Sequence, residues 1–428
     1  VHFSEISIGS DSTPYTAHLE DVTFSLSTSQ LLKKSLVFHS VKIKRLFLRA
    51  AALPTLSPGS SMPPLFHLEK LVIKQGTFDW ESPTTSVRLD NIQLNAHDVN
   101  FNHLAFPLQL SFTLQTNAPL LSLPLSFQGT VTLPAGGKLP QNRLQGQLTG
   151  YNLTLGLAHI DTFATTLQTK SSYLFLNPLN MQLYNGSTYG DASIDFSTGN
   201  TLLNLSGSTL KIEQLLHSIW PQDPLSGTLF FNTHTHFNLW QQPFSKSVNG
   251  TGVITLKTGF IHPFDLDAIV KYAANKLRLA LDMPINAALS QPPPLSHTII
   301  FNGYTPIKQF TLHYNLQNPN DLNGLIEFKN DTLLLAGSGR FHKATSMIHG
   351  RLSARVNTTE PDLATLQTLL GGKVPLQVEG SLAHIHIEPD VEAMAPYLQE
   401  LVARHLLRAP LHDVEKQLRF LFQAPHAS

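Results

Sequence analysis

Two pairs of histidines could bind a metal ion, because each pair places two imidazoles on one face of a predicted strand. His234 and His236 form the first pair, and His384 and His386 form the second, followed closely by Glu388. Histidines two residues apart can ligate zinc. The chain has 20 histidines spread along its length. We therefore interpret these four as solvent-facing residues and predict no metal site.

Asp265 and Asp267 could form a carboxylate pair for acid–base catalysis. They lie at the start of a predicted helix, residues 264–277, where the helix dipole favours acidic side chains. The sequence has no G-x-S-x-G, H-E-x-x-H, P-loop or dinucleotide-binding motif, and Gly371-Gly372-Lys373 lacks the upstream glycine of a P-loop. We predict that the protein is not an enzyme and that it needs no cofactor.

The composition excludes several other classes of protein. The 428 residues carry 29 basic and 29 acidic side chains, so the basic field that a nucleic-acid-binding protein needs is missing. Cysteine is absent, which excludes disulfides and thiolate metal sites. No run of about 18 apolar residues is present, as a membrane-spanning helix would require. The chain begins at Val1 rather than methionine, so we expect that a signal or anchor segment preceded it.

Alternation of apolar and polar residues is the dominant pattern and predicts half-buried antiparallel strands. Neutral polar residues fill the intervening positions. Turn residues such as Gln75-Gly76, Asn185-Gly186, Thr198-Gly199-Asn200 and Lys329-Asn330-Asp331 separate roughly twenty such strands. The apolar positions with the clearest alternation, which we take as the candidate ligand-binding face, are Leu108, Leu110, Phe112, Leu114, Leu121, Leu123, Leu125, Phe127, Val131, Phe310, Leu312, Tyr314 and Leu316.

Helices are few in this pattern. We predict them at residues 209–220, 264–277 and 361–370, and from 391 to the C-terminus, with a break at Pro410. Residues 53–64 and 290–296 have the composition of linkers or loose loops. From these patterns we predict that the chain has four segments: an N-terminal β region (1–165), a middle β region with two short helices (166–290), a C-terminal β region (291–390) and amphipathic helices (391–428).

A series of short motifs resembles the AsmA-like family. The motifs are LYNG at 183–186, GDASIDF at 190–196, LSG at 205–207, IEQLL at 212–216, LSGT at 225–228, VNGTGV at 248–253 and VPLQVEGSL at 374–382. Their order and spacing are the specific part, and they cover roughly residues 183–391. The sequence departs from the family at His262 and His384, and it has no N-terminal transmembrane helix.

The resemblance implies a mainly β fold: a long, twisted antiparallel sheet rolled into an apolar trough, with a few short helices and a C-terminal helical segment. It also implies a periplasmic protein of diderm bacteria, generally anchored in the inner membrane. Such proteins are thought to move phospholipids towards the outer membrane and to maintain that membrane. The expected partners are phospholipids, bacterial membranes and proteins of the envelope.

Two alternatives remain open from the sequence. The same apolar face could belong to a structural or assembly factor for outer-membrane proteins that carries no lipid, or to the core of a secreted β-sandwich adhesin or glycan-binding protein. The C-terminal segment, with Arg404, Arg408, Lys416 and Arg419 beside a leucine stripe, could lie on a membrane or bind a partner. We favour the interpretation that it covers the open end of the sheet.

Overall fold

The structure is a computed structural model. It describes residues 1–9, 15–26, 37–50, 67–81, 86–100, 104–117, 120–133, 143–156, 158–217, 225–241, 246–262, 303–318, 320–357, 371–381 and 384–390, together with residues 265, 266, 268, 364, 367, 368, 392–394, 396 and 397. The predicted linkers at 53–64 and 290–296 lie outside these residues, as does Pro410.

The fold is mainly β, as predicted. The strands in the described residues are β1 (His2–Ile8), β2 (Tyr15–Leu26), β3 (Val37–Ala50), β4 (His67–Glu81), β5 (Ser86–Asn100), β6 (Ala105–Asn117), β7 (Leu120–Thr132), β8 (Arg143–Leu155), β9 (Ala158–Lys170), β10 (Tyr173–Leu183), β11 (Gly186–Asp195), β12 (Asn200–Lys211), β13 (Leu225–Asn238), β14 (Asn249–Ile261), β15 (Thr305–Asn318), β16 (Asp321–Lys329), β17 (Leu333–His342), β18 (Met347–Val356), β19 (Val374–Ser381) and β20 (His384–Pro389). A short helix, α1 (Ile212–His217), follows β12.

The chain divides into two compact units. The first comprises Val1–Leu210 and Asn232–Ser247, and the second comprises Lys211–Phe231 and Val248–Ser428. The four segments expected from the sequence remain a prediction.

In the first unit, each strand from β1 to β12 pairs with the next strand along the chain. All of these pairs are antiparallel except β3–β4, which is parallel. In the second unit, β14 to β20 form a consecutive antiparallel series. The extensive contacts between described elements join strands that are neighbours in sequence and in the sheet.

Residues with positive φ interrupt several strands. Asp21, Asn91, Asp98 and Asn152 lie within β2, β5 and β8 with φ between 50° and 56°, and asparagine and aspartate adopt this backbone conformation more readily than other non-glycine residues. The β4–β5, β5–β6 and β7–β8 registers shift within these strands. Such β-bulges increase the local twist of a sheet, so the strands bend at defined places.

Two predicted turns need correction. Gln75-Gly76 lies inside β4, not at its end. A Cβ at Gly76 would lie 3.0 Å from the Cβ of Ile92, so glycine there serves close packing between strands. The β10–β11 turn is centred on Tyr184 and Asn185, both with positive φ, and Gly186 is already the first residue of β11.

The helix predicted at 209–220 is also shorter than expected. Residues 209–211 still belong to β12, and α1 begins at Ile212. The predicted helix ending at Gly371-Gly372 is confirmed at its C-terminus. Both glycines have positive φ, and the N–H of Gly372 donates to the carbonyl of Gln367 at 2.7 Å. This six-residue closure is the Schellman arrangement that favours glycine.

Candidate functional site

The alternating apolar residues of β6 and β7 lie directly opposite one another. Leu110 pairs with Phe127, Phe112 with Leu125, and Leu114 with Leu123. Directly opposite residues of an antiparallel pair point to the same face of the sheet. The two strands therefore present one shared apolar face, which includes all nine candidate residues predicted between 108 and 131.

The exposure of these side chains distinguishes a partly open face from a closed core. Of the thirteen candidate residues, only Phe127 is buried, with 3% of its surface exposed. The other twelve are half-buried. A core residue covered by a second layer is usually almost fully enclosed. Neighbours in the same sheet account for partial burial, and part of each of these apolar side chains remains exposed.

The apolar face continues on both sides of these strands within the first unit. Towards β5, Phe106 joins a cluster with Leu68, Ala96 and Val99, against which Leu108 packs. Towards β8, Phe127 lies opposite Leu148, and Val131 lies opposite Leu144. The second set of candidate residues lies on β15, which belongs to the second unit.

In the second unit, apolar residues line up across the strands in rows. One row runs from Leu256 through Phe310, Phe328, Leu335 and Ala354 to Val374. The next row runs from Ile254 through Leu312, Ile326, Gly337 and Leu352 to Leu376. The predicted residues Phe310 and Leu312 are therefore single members of longer rows. Most members of these rows were not among the candidate residues, although alternation at 352–356 carries the same signal.

Depth of burial varies across the apolar face to which these rows belong. Leu256, Leu335, Ala354 and Val374 are at most 5% exposed, whereas Leu312, Tyr314 and Leu316 are half-buried. The second unit therefore combines a well-covered strip with a less covered one on the same face of the sheet. The less covered strip is the part available to an apolar ligand.

The opposite face of the first unit is polar and carries cross-strand ion pairs. Lys44 Nζ lies 2.7 Å from Asp21 Oδ2 and holds the pKa of Asp21 below its ordinary value. Arg45 contacts Glu20 at 3.0 Å. These charged groups are exposed, so each pair contributes little to stability. These charged side chains favour exposure of this face to water, which leaves the other face of the sheet as the apolar one.

Among the candidate metal and acid–base residues, the structure describes the side chains of His234, His236 and Asp265. His234 Nδ1 is hydrogen-bonded to Asn204 Oδ1. The side chains of His384, His386 and Glu388 lie outside the described residues, and so does Asp267. Within the described part, no group of three or more histidine, aspartate or glutamate residues is placed to hold a metal ion. Asp265 Oδ1 accepts the N–H of Ala268 at 2.9 Å, which confirms its role at a helix start.

Among the described residues, no helix has the length and apolar character needed to cross a membrane. Comparison with known proteins found no match: no family model, no curated protein and no solved structure matches the chain.

Proposed function

We propose that the protein binds phospholipids without catalysing a reaction and carries them between the inner and outer membranes of a diderm bacterium. In this proposal the acyl chains lie on the apolar face of the sheet, and the protein works in the periplasm, anchored at the inner membrane by a segment outside this chain. Its cellular role is maintenance of the outer membrane. The motifs that resemble the AsmA-like family support this assignment.

The observation that carries the proposal is the half-burial of aligned apolar residues. Each exposed CH₂ group costs about 0.8 kcal/mol relative to an apolar environment. Binding of an acyl chain to a row of half-covered leucines is therefore favourable, because apolar surface of both the leucines and the acyl chain is removed from water. Because the rows run across neighbouring strands, a lipid could move from strand to strand without leaving an apolar surface.

The first experiment is native mass spectrometry combined with organic extraction of protein purified from a bacterial host. Phospholipid that co-purifies above a stoichiometry of one supports the proposal. A folded protein that carries no lipid and takes up no fluorescent phospholipid contradicts it. That result would favour a closed core or an assembly factor instead.

Substitutions on the face sharpen the test. Leu312→Asp and Leu123→Asp place a carboxylate on the apolar face, whereas His313→Asp and Ser126→Asp place one on the opposite face of the same strands. We expect all four proteins to retain their β circular dichroism spectrum and only the first two to lose lipid. Unfolding of Leu312→Asp and Leu123→Asp would show a closed core, because an enclosed unpaired carboxylate is very costly.

A further inference from the structure

A groove whose walls carry mostly polar side chains crosses five strands of the second unit, on the face opposite to the apolar rows. Its volume is about 650 Å³, within the range of ligand sites. One wall carries His313, Leu325, Ser338, Arg351 and Gln377, and the other carries Asn315, Asn323, Arg340, His349 and Glu379. Members of each wall are register partners on β15 to β19. The main chain of Gly324, Gly339 and Gly350 lies between the walls.

We propose that this groove binds a neutral oligosaccharide. The walls offer amide, guanidinium, imidazole and hydroxyl groups, which together can donate to and accept from sugar hydroxyls. Leu325, which is 59% exposed, supplies an apolar surface for the C–H groups of a sugar ring. Five strands at about 4.8 Å spacing give a groove about 19 Å long, so an extended chain of several sugars fits better than a single ring.

One hydrogen-bond acceptor in the wall of the groove has no partner in the described part of the chain. Asn315 Oδ1 is buried and has no hydrogen-bond partner among the described residues. A buried acceptor without a partner is costly, and a donor from a ligand or a water molecule relieves that cost. Arg340 donates to Asn323 Oδ1 at 3.2 Å, and this bond fixes both side chains in the wall.

The charge of the groove argues against an anionic ligand. Arg351 already contacts Asp390 at 3.4 Å and Glu392 at 3.2 Å. Glu379 adds a third carboxylate and accepts from Gln377 at 2.6 Å. The two guanidiniums are therefore outnumbered by carboxylates, and a phosphate or polyanion would meet little net positive potential.

The topology argues against an extended peptide. One common mode of binding for such peptides adds a strand to an unpaired sheet edge. Each strand under the groove, from β15 to β19, already pairs on both sides. The main-chain groups are used in the sheet, so recognition depends on side chains, as it does for a carbohydrate.

The test is isothermal titration calorimetry of the whole chain with neutral hexasaccharides: maltohexaose, cellohexaose, chitohexaose and mannohexaose. We expect at least one to bind, and we expect Asn323→Ala and Arg340→Ala each to weaken that binding about tenfold, the effect of removing one or two hydrogen bonds. Glu327→Ala is the matched control, since Glu327 lies on the same strand as Asn323 but outside the groove.

Three results would overturn the inference: no heat of binding from any of the four sugars at millimolar concentration, equal binding by wild type and both groove variants, or tighter binding of inorganic phosphate than of any sugar. The phospholipid content of Arg340→Ala should equal that of the wild type. One result can therefore contradict the sugar proposal while the lipid proposal stands, and the reverse, so the two proposals are tested separately.

Discussion

The ring of Phe127 lies against Gly146 of the neighbouring strand. A Cβ atom at Gly146 would lie 2.8 Å from Phe127 Cζ and 2.5 Å from the Cα of Gly129. Gly129 and Gly146 are register partners on β7 and β8, so two glycines let the strands approach closely while an aromatic ring covers them. This arrangement explains why Phe127 is the one candidate residue that is buried.

Gly146→Ala should destabilise the first unit, because the new methyl group meets main-chain atoms as well as the ring. Overpacking of this kind costs about 1–3 kcal/mol. Phe127→Ala should cost about 3–5 kcal/mol, as expected for a buried phenylalanine, and Leu123→Ala should cost clearly less because Leu123 is half-buried. Urea unfolding followed by circular dichroism measures all three. Equal losses for Phe127→Ala and Leu123→Ala would contradict the difference in burial.

Gly199→Ala and Gly156→Ala form a matched pair. Both glycines have positive φ, 78° and 60°, so both substitutions carry a similar backbone cost. A Cβ at Gly199 would lie 2.3 Å from Trp240 Cδ1, whereas a Cβ at Gly156 has nothing within 4 Å. We expect Gly199→Ala to lower the melting temperature more and to change tryptophan fluorescence. The same effect from both variants would show that Trp240 does not depend on this contact.

The stability of the β11–β12 turn should depend on pH through Asp195. Its carboxylate accepts the Ser197 hydroxyl at 2.7 Å, the Ser197 N–H at 2.9 Å and the Thr198 hydroxyl at 2.9 Å. These bonds, led by the Ser197 hydroxyl, lower the pKa of Asp195 from 3.8 to about 2. The ionised form is thus favoured by folding, so its contribution is complete above pH 4 and is lost as the pH falls towards 2.

Asp195→Asn removes this titrating group. We expect the difference in melting temperature between wild type and Asp195→Asn to be largest above pH 4 and to shrink towards pH 2. Differential scanning calorimetry across this range measures it. Since other carboxylates titrate in both proteins, the difference between them isolates Asp195. A constant difference would mean that the carboxylate charge has no role in the turn.

Thr258 is a β-branched residue with φ of 53° inside β14. This backbone conformation costs an L-residue with a Cβ atom about 1–2 kcal/mol. Thr258→Gly removes this cost, but glycine adds about 0.5–1 kcal/mol of backbone entropy to the unfolded chain. The first effect is equal to or larger than the second, so stability should stay unchanged or rise slightly. Thr255→Gly, in the regular part of the same strand, should only destabilise. Chemical denaturation compares the two, and a larger loss for Thr258→Gly would show that its side chain is required.

Alternation in the sequence predicted the strands well where it was long and regular. β6, β7 and β15 contain all of the predicted apolar positions. Pro124 lies where the β7–β8 register shifts between Ser122 and Leu125, and a bulge tolerates proline. The same alternation could not tell Phe127 from Leu110, because burial depends on what the neighbouring strand places against each ring.

Glycine was harder to interpret from sequence. Asn185-Gly186 indicated a turn, and a turn is present, but a Cβ at Gly186 would lie 2.6 Å from the backbone nitrogen of Leu210. The glycine is thus required by a strand that is more than twenty residues away. The groove of the second unit was missed for a related reason: its walls are built from residues on five strands, and their adjacency exists only once the registers are fixed.

The parallel pair β3–β4 changes which connections share a rim of the first unit. In a purely antiparallel series, successive hairpin turns alternate strictly between the two rims. Because β4 runs in the same direction as β3, the alternation shifts by one step there. The β1–β2 and β4–β5 turns consequently lie at the same rim, and so do the later turns that follow even-numbered strands. A tag inserted between β4 and β5 therefore marks the same rim as one inserted between β1 and β2.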